Sequence, residues 1–193
     1  IFNPDGYGPE WEPEAMRRGL LNNKNTADAV PVCFEDKNIQ VFVKQGVYTK
    51  AEAVARANIQ LENYTKIINI EALTLLEMAK QDIIPAVSDY VAELCANVAA
   101  KQAVNDSIPC NTERDLIMRL AEGNDKLSAL IIRLEDILGD IDMEEVVPAS
   151  QAMAHEVIPV MEEMRHIIDG MEKITSSEYW PYPTYFDLLY SVK

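Results

Sequence analysis

The sequence predicts an all-α protein organised around one long helix, and three observations support this prediction. Thr49 and Glu52 have the spacing of a capping box, in which the side chain of each residue accepts a hydrogen bond from the backbone amide of the other. The stretch after them contains no glycine and a single proline before Asn105. Two further helical patterns follow Cys110. We therefore predict a long-helix antiparallel three-helix bundle with short N-terminal helices and an aromatic C-terminal tail.

Composition narrows the class of partner. The chain has 193 residues, 48% of them hydrophobic, and a formal net charge of −15. Such a charge repels nucleic acids and anionic membranes, and no apolar run approaches the length of a transmembrane helix. The three cysteines, Cys33, Cys95 and Cys110, form no CxxC pair. We interpret them as small buried or half-buried thiols in a reducing cytoplasm, in preference to metal or redox residues.

Residues 1–48 read as a linker with short helices. Pro9 can open a helix that contains Trp11 as an anchor and ends at Gly19, and a single turn is expected from Thr26. Asp36 can cap a third short helix, which Gly46 closes. The run IQVFV within it also fits a strand, but the cap and the glycine favour a helix.

The long helix, about 50–104, is apolar on more than one side, so we expect several neighbours around it. One stripe consists of Val54, Ala57, Leu61, Tyr64, Ile68, Leu75 and Met78. A second consists of Ile59, Ile67, Ile70 and Leu73. Pro85 removes one helical hydrogen bond, which predicts a kink near Gln81–Pro85 and leaves open whether the helix breaks.

Two later helices are predicted at 112–138 and 144–174. The first has a heptad rhythm with Gly123 at its one gap and Gly139 at its end, and the second has Pro159 as a kink site. The segments QDIIPAV and HEVIPVM resemble each other. With the long helix from about Asp82 onward, they would form the bundle in residues 49–175. The first half of the long helix would then need cover from residues 9–46, the tail, another domain or another subunit.

The tail, 176–193, is rich in aromatic residues and contains Pro181 and Pro183, which favour an extended chain. It either folds back on its own bundle or buries its aromatic side chains against a partner, and both interpretations stay open. The candidate interface residues are Trp11, Leu73, Leu76, Tyr179, Trp180, Tyr182 and Tyr185.

No motif for chemistry is complete. Glu163 and His166 match the Glu-x-x-His of di-iron bundles, but the residue three before His155 is Ala152, so the second copy is missing. Asp140, Asp142 and Glu144 have the spacing that opens a calcium loop, yet its glycine and final glutamate positions hold Glu145 and Gln151. No phosphate-binding loop or nucleophile elbow is present. The prediction is no catalytic, metal or cofactor-binding residue in this chain.

Three stretches resemble the C-terminal region of type III glutamine synthetase. They are GYGPEWEPEAMRRGLLN, LENYTKIINIEALTLLEMAKQDIIPAVSDY and EYWPYPTYFDLLYSVK, in that order. The resemblance runs over nearly the whole chain and is weakest between Asp106 and Ala152.

The resemblance implies a parent enzyme that joins ammonia to glutamate at the expense of ATP, with Mg or Mn ions. Its catalytic core would lie upstream, and FNPDGYG would mark the end of that core. The family assembles as stacked hexameric rings, so the implied partners are the protein's own catalytic core and neighbouring subunits. This chain would be a non-catalytic domain for assembly or regulation. The alternative is a free-standing helical-bundle interaction module with the tail as docking arm.

Overall fold

The structure is a computed structural model that describes residue 5, residues 8–183 and residues 185–190, apart from the side chains of Tyr185 and Phe186. It is helical, and none of these residues lies in a β-strand, which confirms the predicted all-α class. The α-helices are α1 (Trp11–Arg17), α2 (Thr26–Ala29), α3 (Asp36–Lys44), α4 (Lys50–Met78), α5 (Ile84–Val104), α6 (Asn111–Asp140), α7 (Val146–Ala152), α8 (Ile158–Glu172) and α9 (Tyr185–Tyr190). A 3₁₀ turn at Val30–Phe34 and π turns at Ala79–Ile83 and Met153–Val157 complete the order.

The chain divides into two compact units. The first consists of the described residues up to Lys66 together with Asp142–Ala154, and the second of Ile67–Ile141 with the described residues from His155 onward. Val30, Ala57 and Leu61 form a buried cluster in the first unit, and partly buried side chains pack against it: Phe34, Val146 and Val147. The N-terminal half of α4 thus supplies this small core with Ala57 and Leu61.

Helices α1 and α3 of the first unit end just before a glycine with a left-handed backbone. Gly19 has φ +69° and Gly46 has φ +67°, a region that favours glycine. The run IQVFV lies in α3 and is helical, as preferred over a strand. One detail was wrong: Asp36 is the first residue of α3 and not its cap, because Glu35 occupies the cap position without a side-chain hydrogen bond.

The predicted capping box opens α4. The Glu52 carboxylate accepts a hydrogen bond from the Thr49 amide at 2.8 Å, and the Glu52 amide donates to Thr49 Oγ1 at 3.2 Å. The bond from the Thr49 backbone amide, with that from its hydroxyl, lowers the pKa of Glu52. These reciprocal bonds explain why the long helix begins at Lys50.

The two prolines predicted as kink sites, Pro85 and Pro159, each follow a π turn. The turn Ala79–Ile83 ends two residues before Pro85, and Met153–Val157 ends two residues before Pro159. Helical structure continues through the first of these turns, so Lys50–Val104 is one helix of 55 residues and Pro85 does not break it. The likeness of QDIIPAV and HEVIPVM is thus a likeness of local structure.

In the second unit, α6 packs on α5 and on α8. Its buried side chains recur at seven-residue intervals, with Leu120, Leu127 and Leu134 fully inaccessible to solvent. Gly123, the gap in the predicted heptad, lies where α8 approaches closely: a Cβ there would be 2.5 Å from Met171 Sδ. Gly139 does not end the helix as predicted, because α6 continues through it to Asp140.

Two expectations about exposure need correction. Cys33 and Cys95 are exposed, and of the three free cysteines only Cys110 is buried.

By length and composition alone, Lys50–Val104 is one helix in the described ranges that could cross a membrane, with mean hydropathy 1.3 over an 18-residue window. Core helices of soluble proteins and signal sequences meet the same criterion, so one such helix is weak evidence. Here 17% of the window is buried, and Asp89 and Glu93 lie in the second half of the helix.

Candidate functional site

The described residues offer no metal centre. Among them no three histidine, cysteine or acidic side chains are grouped so that they could hold an ion. His155 and His166, the histidines of the incomplete di-iron pattern, are both exposed. The described residues therefore do not fit the divalent ions that the family resemblance implies for the longer enzyme.

The strongest surface feature is an exposed apolar face on α4. Ile67, Ile70 and Leu73, three members of the second predicted stripe, are 55%, 62% and 52% exposed. We call these three side chains the α4 face. Single exposed apolar residues are ordinary, but three at successive turns of one helix form a contiguous patch. The described residues of the second unit leave more than half of each of these side chains exposed.

The opposite side of the same helix is buried. Ala72 is fully inaccessible and Leu76 is 4% exposed. Of the two candidate interface leucines, Leu73 therefore lies on the α4 face, whereas Leu76 lies in the interior of the second unit. Glu71 and Glu77 flank the patch, and neither forms an ion pair within the described residues. The face is therefore apolar at its centre and acidic beside it.

The aromatic tail contacts α5 and the π turn before it. The rings of Tyr179 and Tyr90 are 5.4 Å apart, and the Tyr182 hydroxyl donates a hydrogen bond of 2.7 Å to Asp82 Oδ2. Tyr182 and Trp180 are half-buried. These contacts favour the first of the two open interpretations for residues 179–182, namely a tail that folds back on its own helices.

The tail contacts also explain why the pKa values of two tyrosines are raised. The hydrogen bond with Glu93, together with burial and neighbouring carboxylates, raises the pKa of Tyr179. Burial, followed by the hydrogen bond to Asp82, raises the pKa of Tyr182 to about 12. In both cases a nearby negative charge opposes ionisation of the phenol. The tail is therefore held by neutral tyrosines over the physiological pH range.

The remaining candidate interface residues, Trp11 and Tyr185, belong to α1 and α9. Trp11 is half-buried in α1 of the first unit. Tyr185 begins α9, but its side chain lies outside the described residues. In α9 the side chains of Leu188 and Leu189 are 64% and 63% exposed. The interface role of the seven residues stays a prediction.

Sequence reasoning missed a groove beside the α4 face. It lies between α4 and α8, has a volume of about 530 Å³, and includes Ile68, Leu75, Ile158 and Met161 in its walls. The spacing of Ile68 and Leu75 was visible as part of the first stripe. That spacing alone cannot show that the two helices leave a gap between them, because a gap depends on their distance in three dimensions.

Comparisons with known proteins show which family the chain belongs to. A model of the family described as glutamine synthetase C-terminal domain matches residues 1–102, which is more than half of the chain. A glutamine synthetase of Butyrivibrio fibrisolvens is 32% identical over the whole chain, which covers 28% of that protein. A type-3 glutamine synthetase of Dictyostelium discoideum is 29% identical over 98% of the chain, which covers 26% of it.

The chain therefore belongs to the glutamine synthetase C-terminal domain family. A third relative, a glutamine synthetase of Bacteroides fragilis, is 26% identical over 98% of the chain and is covered to 27%. The chain spans about a quarter of the length of these curated relatives. The resemblance identified from the sequence is thus confirmed.

Proposed function

We propose that this chain works as a non-catalytic C-terminal domain within a longer type III glutamine synthetase, where it supports assembly of the oligomer or regulates the enzyme. The observation that carries this proposal is the α4 face. Ile67, Ile70 and Leu73 are more than half exposed. Apolar area of this kind is stabilising when another protein surface removes it from water. A neighbouring subunit or the enzyme's own catalytic core is the surface we propose.

The reaction belongs to the proposal as well. The longer protein would join ammonia to glutamate with ATP and Mg²⁺ or Mn²⁺, through residues outside this chain. Stacked hexameric rings are the proposed oligomer, and the cytoplasm is the proposed compartment. The family match and the names of the relatives support the reaction. The free cysteines agree with a reducing compartment.

An antiparallel arrangement of α5, α6 and α8 is the proposed scaffold for this role. The packing of α6 on both α5 and α8 supports it, as does the short connection Asn105–Cys110 between α5 and α6. Because α4 continues through the π turn into α5, this scaffold would hold the α4 face in one orientation toward its partner.

The test is a double substitution in the longer enzyme, Ile70→Asn with Leu73→Asn. Assembled mass is measured by light scattering, together with glutamine formation. The matched control is Met118→Asn with Ile132→Asn, since both side chains are exposed on α6, at 60% and 57%. Assembly predicts that mass and activity fall together in the first variant only.

The outcomes separate the two roles. If the mass is kept while activity or inhibition by product changes, the domain is regulatory. If the α4 variant behaves like the α6 control in both measurements, the α4 face has no part in the enzyme and the proposal fails.

A further inference from the structure

We infer that the groove between α4 and α8 binds an amphipathic helix whose apolar side is flanked by lysine or arginine residues. This groove is a separate site from the α4 face, and it lies entirely within the second unit. The inference goes beyond the proposed function because it assigns a second surface and the chemistry of its partner.

The walls of the groove give the first argument. Ile68 and Leu75 line one side and Ile158 and Met161 the other, and all four are half-buried. Ile68 and Leu75 are seven residues apart, which corresponds to about 10 Å along a helix. A partner helix that inserts apolar residues at positions i, i+3 or i+4, and i+7 covers the same length. The volume of about 530 Å³ suits a few aliphatic side chains.

The rim gives the second argument. Arg165 Nε lies 3.5 Å from Asp169 Oδ1, so these two opposite charges offset each other. Glu71 and Glu162 also line the rim, and neither has an ion-pair partner within the described residues. His166 also lines the groove, but one imidazole does not balance these two carboxylates. The rim is therefore acidic overall, and a partner with basic flanking residues is complementary to it.

The same charges argue against a second copy of this chain as the occupant. With 32 acidic and 17 basic residues, a second copy would bring an excess of acidic side chains to this acidic rim. The exposed helix α9 has Asp187 and no lysine or arginine in its six residues. Its sequence supplies apolar side chains but lacks the basic flanks that the rim of the groove requires.

Binding of a designed peptide to the full 193-residue chain tests the inference. The probe is a labelled helical peptide with leucine at i, i+3 and i+7 and lysine at the flanking positions. A matched peptide has glutamate in place of each lysine. We expect saturable binding of the lysine peptide by fluorescence anisotropy and none of the glutamate peptide.

Substitutions locate the site. Glu71→Lys with Glu162→Lys is expected to weaken binding by at least about tenfold, because both rim charges are reversed. The matched control, Asp125→Lys with Asp136→Lys, makes the same change in net charge on exposed positions of α6 and leaves binding within about twofold. Met161→Gln, a polar replacement in the wall, is expected to weaken binding without reversing any charge. Circular dichroism verifies that each variant is folded.

Four results would overturn the inference. Three of them are equal binding of the two peptides, equal loss in the rim variant and its control, and unchanged binding by Met161→Gln. The fourth is a chain that dimerises alone in sedimentation and loses the dimer in the rim variant, because the occupant is then a second copy. None of these results touches the α4-face experiment, so the proposed function and this inference stand or fall separately.

Discussion

The two halves of the long helix differ in what surrounds them. In the second half, α5 has α6 packed against it, and the tail reaches it through Tyr179. In the first half, each side chain of the α4 face is more than half exposed, although these side chains are as apolar as the buried leucines of α6. Hydropathy is therefore a poor guide to burial along one continuous helix. Buried and exposed apolar side chains can therefore lie within four residues of each other, as Leu73 and Leu76 do.

The largest expected effect contrasts the two sides of α4. Leu76→Ala should lower the free energy of unfolding of the chain by about 2–5 kcal/mol, because it removes a buried side chain and leaves a cavity. Leu73→Ala should change it by less than about 0.5 kcal/mol, since Leu73 is 52% exposed. Urea unfolding of both variants measures the contrast. Equal destabilisation would mean that Leu73 is covered in solution.

An intermediate effect concerns the contact between α6 and α8. Gly123→Ala would place a Cβ 2.5 Å from Met171 Sδ and 2.9 Å from its Cγ. Met171 is buried, so it has little room to move, and we expect a loss of about 1–3 kcal/mol.

Gly170→Ala in α8 is the matched control, since nothing lies within 4 Å of the added atom. It should stabilise by up to about 1 kcal/mol through helix propensity. Opposite signs in thermal or urea unfolding would confirm the close approach of the two helices. Stabilisation by both alanines would contradict it.

The smallest expected effect concerns the tail. Tyr182→Phe removes the hydrogen bond to Asp82 and should cost less than about 1 kcal/mol, because solvent screens the site. The pKa of Tyr182 is raised from 10.0 to about 12 on folding. Its contribution to stability is therefore complete below pH 10 and is lost as pH rises through about 12.

Absorbance titration of tyrosinate measures this shift. The difference between wild type and Tyr182→Phe should show one phenol that ionises near pH 12 in the folded chain and near pH 10 in concentrated urea. A difference curve with the same midpoint in both conditions would mean that the tail is detached in solution.

Much of the fold followed from local signals in the sequence. The Thr49–Glu52 box, Gly19 and Gly46 fix helix ends through backbone hydrogen bonds and φ values, which neighbouring residues determine. Gly139 misled the prediction because a glycine can stay helical near a terminus when no left-handed turn follows. Gly123 was noticed as a gap, but only the position of Met171 explains it.

The candidate sites could be predicted from the sequence less well than the fold. The apolar stripe Ile67, Ile70 and Leu73 was visible, whereas its exposure depends on where the other helices pack. To predict the groove, one needs both the 3.6-residue period of α4 and the distance between α4 and α8. Neighbouring residues in the sequence determine the period but not that distance. Tyr182 was predicted as an interface residue, but its partner Asp82 is 100 positions away in the chain.

The two π turns have a consequence for how this chain tolerates insertions and deletions. A π turn accommodates one residue more than the α-helical hydrogen-bond pattern, and one residue corresponds to a rotation of about 100° around the helix axis. The surplus residue in Ala79–Ile83 therefore sets the direction in which Val87 and Leu94 point. Deleting one residue there would turn both away from the interior, whereas replacing Pro85 would leave their direction unchanged. Length is thus the quantity that evolution must conserve at this turn.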